Sequence, residues 1–181
     1  MGGSLFRLGA VLISLGLGAC ASGGGDGYHE SGGAMPVLGG QVETPRTPLQ
    51  CVTYARERSG IGIHGDAGTW WAKAEGLYTR GTTPVPGSVM VLTGYAGPGR
   101  AHLAVVASQI SDREITIDHA NWLDDGAIYR ADPVMDVSPE NTWSEVRVYN
   151  LRANAWGVRT YLVQGFIGPA PHVDRQWMAT N

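Results

Sequence analysis

Five runs after residue 87, SVMVLT, AHLAVVASQ, REITIDHANW, EVRVYNLR and TYLVQGFIG, do most to limit what this chain can become. They are rich in β-branched and aliphatic residues, and turn-forming stretches separate them, which predicts strands. Two short helical stretches come first. In CVTYARERSG the residues Val52, Ala55 and the stem of Arg58 share a helical face before Gly60 stops it. In TWWAKAEG, Thr69 can cap and Gly76 can terminate a second helix. Helices followed by strands argue against alternating βαβ units. They predict an α+β domain, with N-terminal short helices packed on a mainly antiparallel sheet of about five or six strands. TGYAGPGR, ISD and LDDGAIYRADPVMDVSPENTW read as the connecting turns.

The N-terminus has a different composition. MGGSLFRLGAVLISLGLGAC has one Arg, an apolar run from Leu8 to Ala19, and small residues before Cys20. That run is too short to span a bilayer, which takes about 20 apolar residues, and has the three-part shape of a secretory signal. Its last four residues, Leu17-Gly18-Ala19-Cys20, resemble a bacterial lipobox, which implies cleavage before Cys20, lipidation there and a lipid-anchored protein of the cell envelope. We therefore read residues 1–20 as signal peptide with lipobox and 21–47 as a Gly/Pro-rich linker. Residues 48–169 form one domain of ordinary size, and 170–181 a C-terminal tail.

With Cys20 acylated, Cys51 has no partner within the chain. A free thiol in an oxidising compartment calls for a reason. A net charge of −3, with Lys and Arg scattered, gives no electrostatic footprint for nucleic acid. Cys51 stands where the first helix begins, and unpaired N–H groups at a helix start favour a thiolate. A small buried apolar cysteine is the bland alternative.

Strand periodicity supplies context for the thiol. His102, Ala104 and Val106 share one face by the two-residue period. Ile115, Ile117, His119 and Asn121 share another, leaving Thr116, Asp118, Ala120 and Trp122 opposite. If that face packs on the first helix, His102, His119 and Asn121 converge on Cys51.

In this order, Gln50-Cys51 with Tyr54 a turn later, Trp70-Trp71, Pro86-Gly87-Ser88-Val89, His102-Leu103-Ala104-Val105-Val106 and His119-Ala120-Asn121-Trp122 resemble the CHAP domain. This is a cysteine, histidine-dependent amidohydrolase/peptidase family in the NlpC/P60-like, papain-related group. The resemblance runs from about Leu49 to Ile167. It implies a papain-like fold, no cofactor and no metal, Cys51 as nucleophile and His102 as general base. The third position, commonly Glu in a Glu-x-Asn element, falls on His119, with Asn121 matching the Asn. A histidine there can still fix the tautomer of His102, but it stabilises an imidazolium less than a carboxylate would. The oxyanion would lie on the backbone N–H of Cys51, with Gln50 as second contributor.

Trp70, Trp71 and Trp122 fit either a core or a shelf for substrate. His64 and Asp66 sit in a Gly-rich loop and read as solvent-facing. Cys51, His102, Asp118 and His119 lack the spacing of a paired zinc motif. The reading that follows is an enzyme cleaving amide bonds in peptidoglycan peptides, lipid-anchored and facing the periplasm, with the outer membrane as its place. Its rivals are a binding or scaffolding module that keeps the fold, and an amidase acting on a small peptide conjugate.

Overall fold

The computed structural model describes residues 39–169. The lipobox with Cys20, the signal peptide, most of the linker and the tail lie outside them. The first described element, β1 (Gln41–Glu43), falls within the stretch that Gly and Pro content reads as linker. It pairs antiparallel with residues 128–130, and Arg130 Nε donates to Glu43 Oε1, so residues 41–43 belong to the sheet.

Helix α1 (Cys51–Ser59) ends as its sequence predicts. Gly60 takes the left-handed conformation, φ 75°, and its N–H donates to Arg56 O at 3.0 Å. A 3₁₀ turn, Ala67–Thr69, then leads into the single turn of α2 (Trp70–Lys73). The side chain of Thr69 does not cap it. The Thr69 backbone is already helical, whereas a cap needs extended geometry, and its Oγ1 donates instead to Asp66 O at 2.7 Å. Gly76 lies beyond the helix, in the turn that follows.

The strands are β2 (Arg80–Gly81), β3 (Val89–Thr93), β4 (Ala101–Ser111), β5 (Glu114–Ala120), β6 (Ile128–Asp136), β7 (Glu145–Asn150), β8 (Ala155–Trp156) and β9 (Tyr161–Ile167). All five sequence-predicted runs are among them. Every pairing is antiparallel, in the order β1-β6-β5-β4-β3-β9-β7-β8, with β2 on β9. Because β6 also pairs with β7, the six strands β6, β5, β4, β3, β9 and β7 close into a barrel-like ring. The chain is thus mostly sheet, compatible with α+β, with few and short helices.

Strand alternation sorts the apolar residues into two cores. Leu103 and Val105 of β4 join Val89, Val91, Ala55 and Trp70 beneath the helices. Ala104 and Val106 join Met90, Leu92, Ile115, Ile117 and Phe166 inside the ring. Each Val, Leu, Ile, Met or Phe among them contributes about 1.5–3 kcal/mol on burial. Convergence on Cys51 through the face of Ile115, Ile117 and His119 depends on α1 packing there; the helix lies on the opposite side. Ring closure fills the interior with side chains, so a helix can cover only the outside.

Strand β6 is the largest element that the sequence hid, and its pairing explains both the miss and its importance. Ile117 pairs with Asp132 and His119 with Tyr129, so two steps along β5 match three along β6. The extra residue makes a bulge at Arg130–Ala131. Ala131 has φ 47°, and its N–H donates to Asp118 Oδ1 at 2.9 Å. Tyr129 and Asp132 are three apart and would face opposite ways on a plain strand; the bulge turns both inward.

Candidate active site

Cys51 is the first residue of α1, and among the described residues it is the free cysteine. The helix packs over β4 and β5, which sets its first turn above the place where β4 begins. Pro48 and Leu49 hold that approach in position: Leu49 N–H donates to Gly126 O at 3.1 Å. Gly126 has φ 66°, and a Cβ there would come within 2.8 Å of Pro48 Cα, so this close passage requires glycine.

A cavity of about 460 Å³ opens beside the sulfur. Gln50, Cys51, His102, Asn121 and Trp122 line it, together with Tyr95, Arg100, Asp124, Arg159 and Tyr161. The structure therefore brings Cys51 and His102 to one cavity. They arrive from opposite sides of β4: the thiol comes from the outer helix, and the imidazole from the interior face near the strand's first residue.

Behind His102 lies a chain of buried polar groups. His102 Nε2 is 2.9 Å from His119 Nδ1, and His119 Nε2 is 3.0 Å from Asp132 Oδ2. His102 is 1% exposed, and His119 and Asp132 are 0% exposed. Sequence reasoning missed Asp132, since it lies in the segment taken for loop and only the bulge aims it inward. Asp118 lies opposite His119, as parity predicts, and since α1 covers that side it accepts from Arg58 Nε at 2.8 Å.

Asn121 and Trp122 depart from the predicted faces. β5 ends at Ala120, and Asn121 turns left-handed at φ 60°, which resets the alternation. Asn121 does not reach His102. Its Nδ2 donates to Gln50 Oε1 at 3.2 Å, and its Oδ1 accepts from Gly126 N–H at 2.7 Å. Trp122, predicted to lie opposite His119, instead packs on both rings, at 4.9 Å from His102 and 5.2 Å from His119. Tyr95 stacks against His102 at 4.9 Å and Trp122 at 4.7 Å, and Trp122 against Tyr161 at 5.2 Å. Tyr95 sits in a turn and Tyr161 at a strand start, where nothing in the sequence links them to His102.

Trp70 is no part of the cavity. It is fully buried in the core under the helices, and its Nε1 donates to Gly65 O at 3.3 Å. Trp71 lies beneath the Arg80 guanidinium, 5.1 Å from ring centroid to Cζ. His64 is exposed, with Nδ1 3.3 Å from Arg56 Nη1.

Burial decides the electrostatics. It raises the Cys51 thiol above its ordinary value, against the opposing pull of N–H groups of Leu103, Val52 and Cys51 and of the Arg100 charge. The sequence reading expected the helix start to lower it; desolvation wins because the sulfur is half-buried against apolar neighbours. Burial, and then His119, push His102 well below the ordinary histidine range. Burial raises the Asp132 carboxyl, and the hydrogen bond and charge of His119 pull it back. Burial likewise pushes Tyr95 up to about 12. The resting pair at neutral pH is thus a thiol and a neutral imidazole. A raised thiol pKa shifts ionisation to higher pH, so the rate of Cys51 alkylation by iodoacetamide should still climb through pH 9 in the free protein. A plateau already reached below pH 7 would reveal a preformed thiolate–imidazolium pair and contradict this.

The cavity thus holds a thiol and an imidazole backed by a second histidine, the kinds of group that cysteine-dependent acyl transfer employs. Residues 42–121 match the family model of the CHAP domain. That match supports a CHAP domain over this stretch, and with it a cell-wall amidase or peptidase type of function, CHAP domains being generally hydrolases. The matched stretch includes Gln50, Cys51, His102, His119 and Asn121 and ends before β6. No curated protein is similar enough to the chain to count as a match.

Proposed function

We propose that this protein is a cysteine amidohydrolase or peptidase of the cell envelope that cleaves amide bonds in peptidoglycan peptides. Cys51 is its nucleophile and His102 its base. The observation that carries the reading is the shared cavity of Cys51 and His102, with His102 Nε2 held by His119. His102 Nδ1 takes the thiol proton as the sulfur attacks the carbonyl carbon. The tetrahedral intermediate collapses, the C–N bond breaks, and the imidazolium protonates the leaving amine. Water, deprotonated by His102, then releases the acyl group and restores the thiol.

The oxyanion is served by the Cys51 backbone N–H and by Gln50. Asn121 binds Gln50 through Oε1, which leaves the Gln50 Nε2 donors to the cavity. Asn121 thus acts on the oxyanion side, where the resemblance alone had placed it beside the base. One donor of this kind is typically worth about 3 kcal/mol of barrier. Trp122 and Tyr161 give a peptide an apolar wall, and Arg100 and Arg159 suit the cavity mouth to carboxylate-bearing peptides. The lipid anchor at Cys20 would hold the domain to a membrane, the outer membrane in this reading, facing the periplasm with peptidoglycan in reach.

One feature favours a weak or silent relative that binds wall peptide: burial raises the Cys51 thiol rather than lowering it. Purified sacculi separate the two readings. Incubation with the wild-type protein should release fragments detectable by mass, and Cys51→Ser should release none. Sacculi bound by both proteins and cut by neither would establish the binding module. Fragments released equally by Cys51→Ser would remove the thiol from the chemistry.

A further inference from the structure

We propose that Asp132 is a positioning residue of this site, acting through His119 to fix the tautomer of His102, so that the functional unit is a line of four side chains, Cys51, His102, His119 and Asp132. The inference rests on the reading of Cys51 and His102 as nucleophile and base.

What each group can donate fixes where the protons lie. An ionised carboxylate only accepts, so Asp132 Oδ2, 3.0 Å from His119 Nε2, requires the proton on that nitrogen. Neutral His119 then has a bare Nδ1. That lone pair, 2.9 Å from His102 Nε2, requires the His102 proton on Nε2. His102 Nδ1 is left bare, and a bare nitrogen is what a base needs. Neither histidine could settle this alone, because a pair of neutral imidazoles is equally satisfied with both protons shifted the other way, which leaves His102 Nδ1 protonated and useless as a base. Asp132 breaks that symmetry.

Two further observations point the same way. Asp132 is fully buried, and its Oδ1 has no hydrogen-bond partner among the described residues. Such a carboxylate is costly to bury and contributes nothing by packing that an apolar residue would not. The bulge at Arg130–Ala131 is what points it at His119 rather than outward. A negative charge thus reappears one residue further along the line than the carboxylate commonly found at the third position of the resembled pattern. Asp132 also lies outside the stretch matched to the CHAP domain.

Asp132→Asn is nearly isosteric, but its amide can donate to His119 Nε2 and drive both histidines into the opposite tautomer. With ¹⁵N-labelled histidine, NMR of the wild-type protein at neutral pH should show His102 and His119 both protonated on Nε2, and Asp132→Asn should show both on Nδ1. Cys51-dependent cleavage should lose about a hundredfold in kcat with KM unchanged, less than the roughly 10⁴-fold lost when the carboxylate touches the base directly. A folded Asp132→Asn with unchanged tautomers and kcat within twofold of wild type overturns the proposal while leaving the cysteine mechanism intact. Should the variant not fold, the wild-type spectrum still decides: Nδ1 protonation of either histidine overturns it. Should the wild type cleave nothing, the functional reading fails, and the tautomers alone report whether Asp132 sets them.

Discussion

His102→Ala is expected to lower Cys51-dependent cleavage of wall peptides by about 10⁴-fold, close to the loss from Cys51→Ser itself. The size follows from the resting state. A site that stores a thiolate can lose its imidazole and still attack, albeit without a proton for the leaving amine. Here burial raises the thiol and lowers His102, so in the proposed mechanism the imidazole draws the proton away as the sulfur attacks. The two residues therefore act as one unit, and the double variant should be scarcely worse than either single one. The check is a double-mutant cycle on kcat/KM with sacculus fragments as the readout. Additive losses, with His102→Ala retaining a tenth or more of wild-type activity, would mean that another base serves the cavity.

Trp70→Ala is expected to cost about 3–5 kcal/mol of folding stability while leaving kcat per folded molecule unchanged. The indole is wholly enclosed by the core beneath the helices and binds Gly65 O. No neighbour can swing in to fill the void, because β3 and β4 behind it are fixed in the ring. Against a usual total of about 5–15 kcal/mol, that loss would show at once in a denaturation curve. A raised KM with normal stability would instead return Trp70 to the substrate shelf that its sequence position also allowed.

How far these features could be read from the chain depended on whether alternation held. Where strands are plain, as in β3, residues 101–106 of β4 and the body of β5, the period of two placed His102 and His119 on faces that do meet, and Asp118 on the other. It failed at two points where the backbone takes a positive φ. Asn121 reverses the order after β5, which exchanged the positions expected for Asn121 and Trp122. Ala131 adds a residue to β6, which hid Asp132 within a segment whose Pro133, Asp and Arg content already argued for a loop. Ring closure was also invisible. It depends on β6 meeting β7, a pairing that joins a strand absent from the sequence reading to one present in it. The direction of the thiol pKa followed the same pattern, since a helix start is legible in sequence while the apolar cover over it is a product of assembly.

The order of strands around the ring also has a temporal consequence. β9, last of the described strands, lies between β3 and β7, so the circle cannot be completed until residues 161–167 have emerged. Until then His102 and His119 have no enclosed interior to occupy, and position 51 carries an ordinary, unassisted sulfhydryl. Enclosure is thereby withheld from the nascent polypeptide, and a molecule truncated before Tyr161 should leave His102 and His119 open to solvent however intact residues 42–121 are.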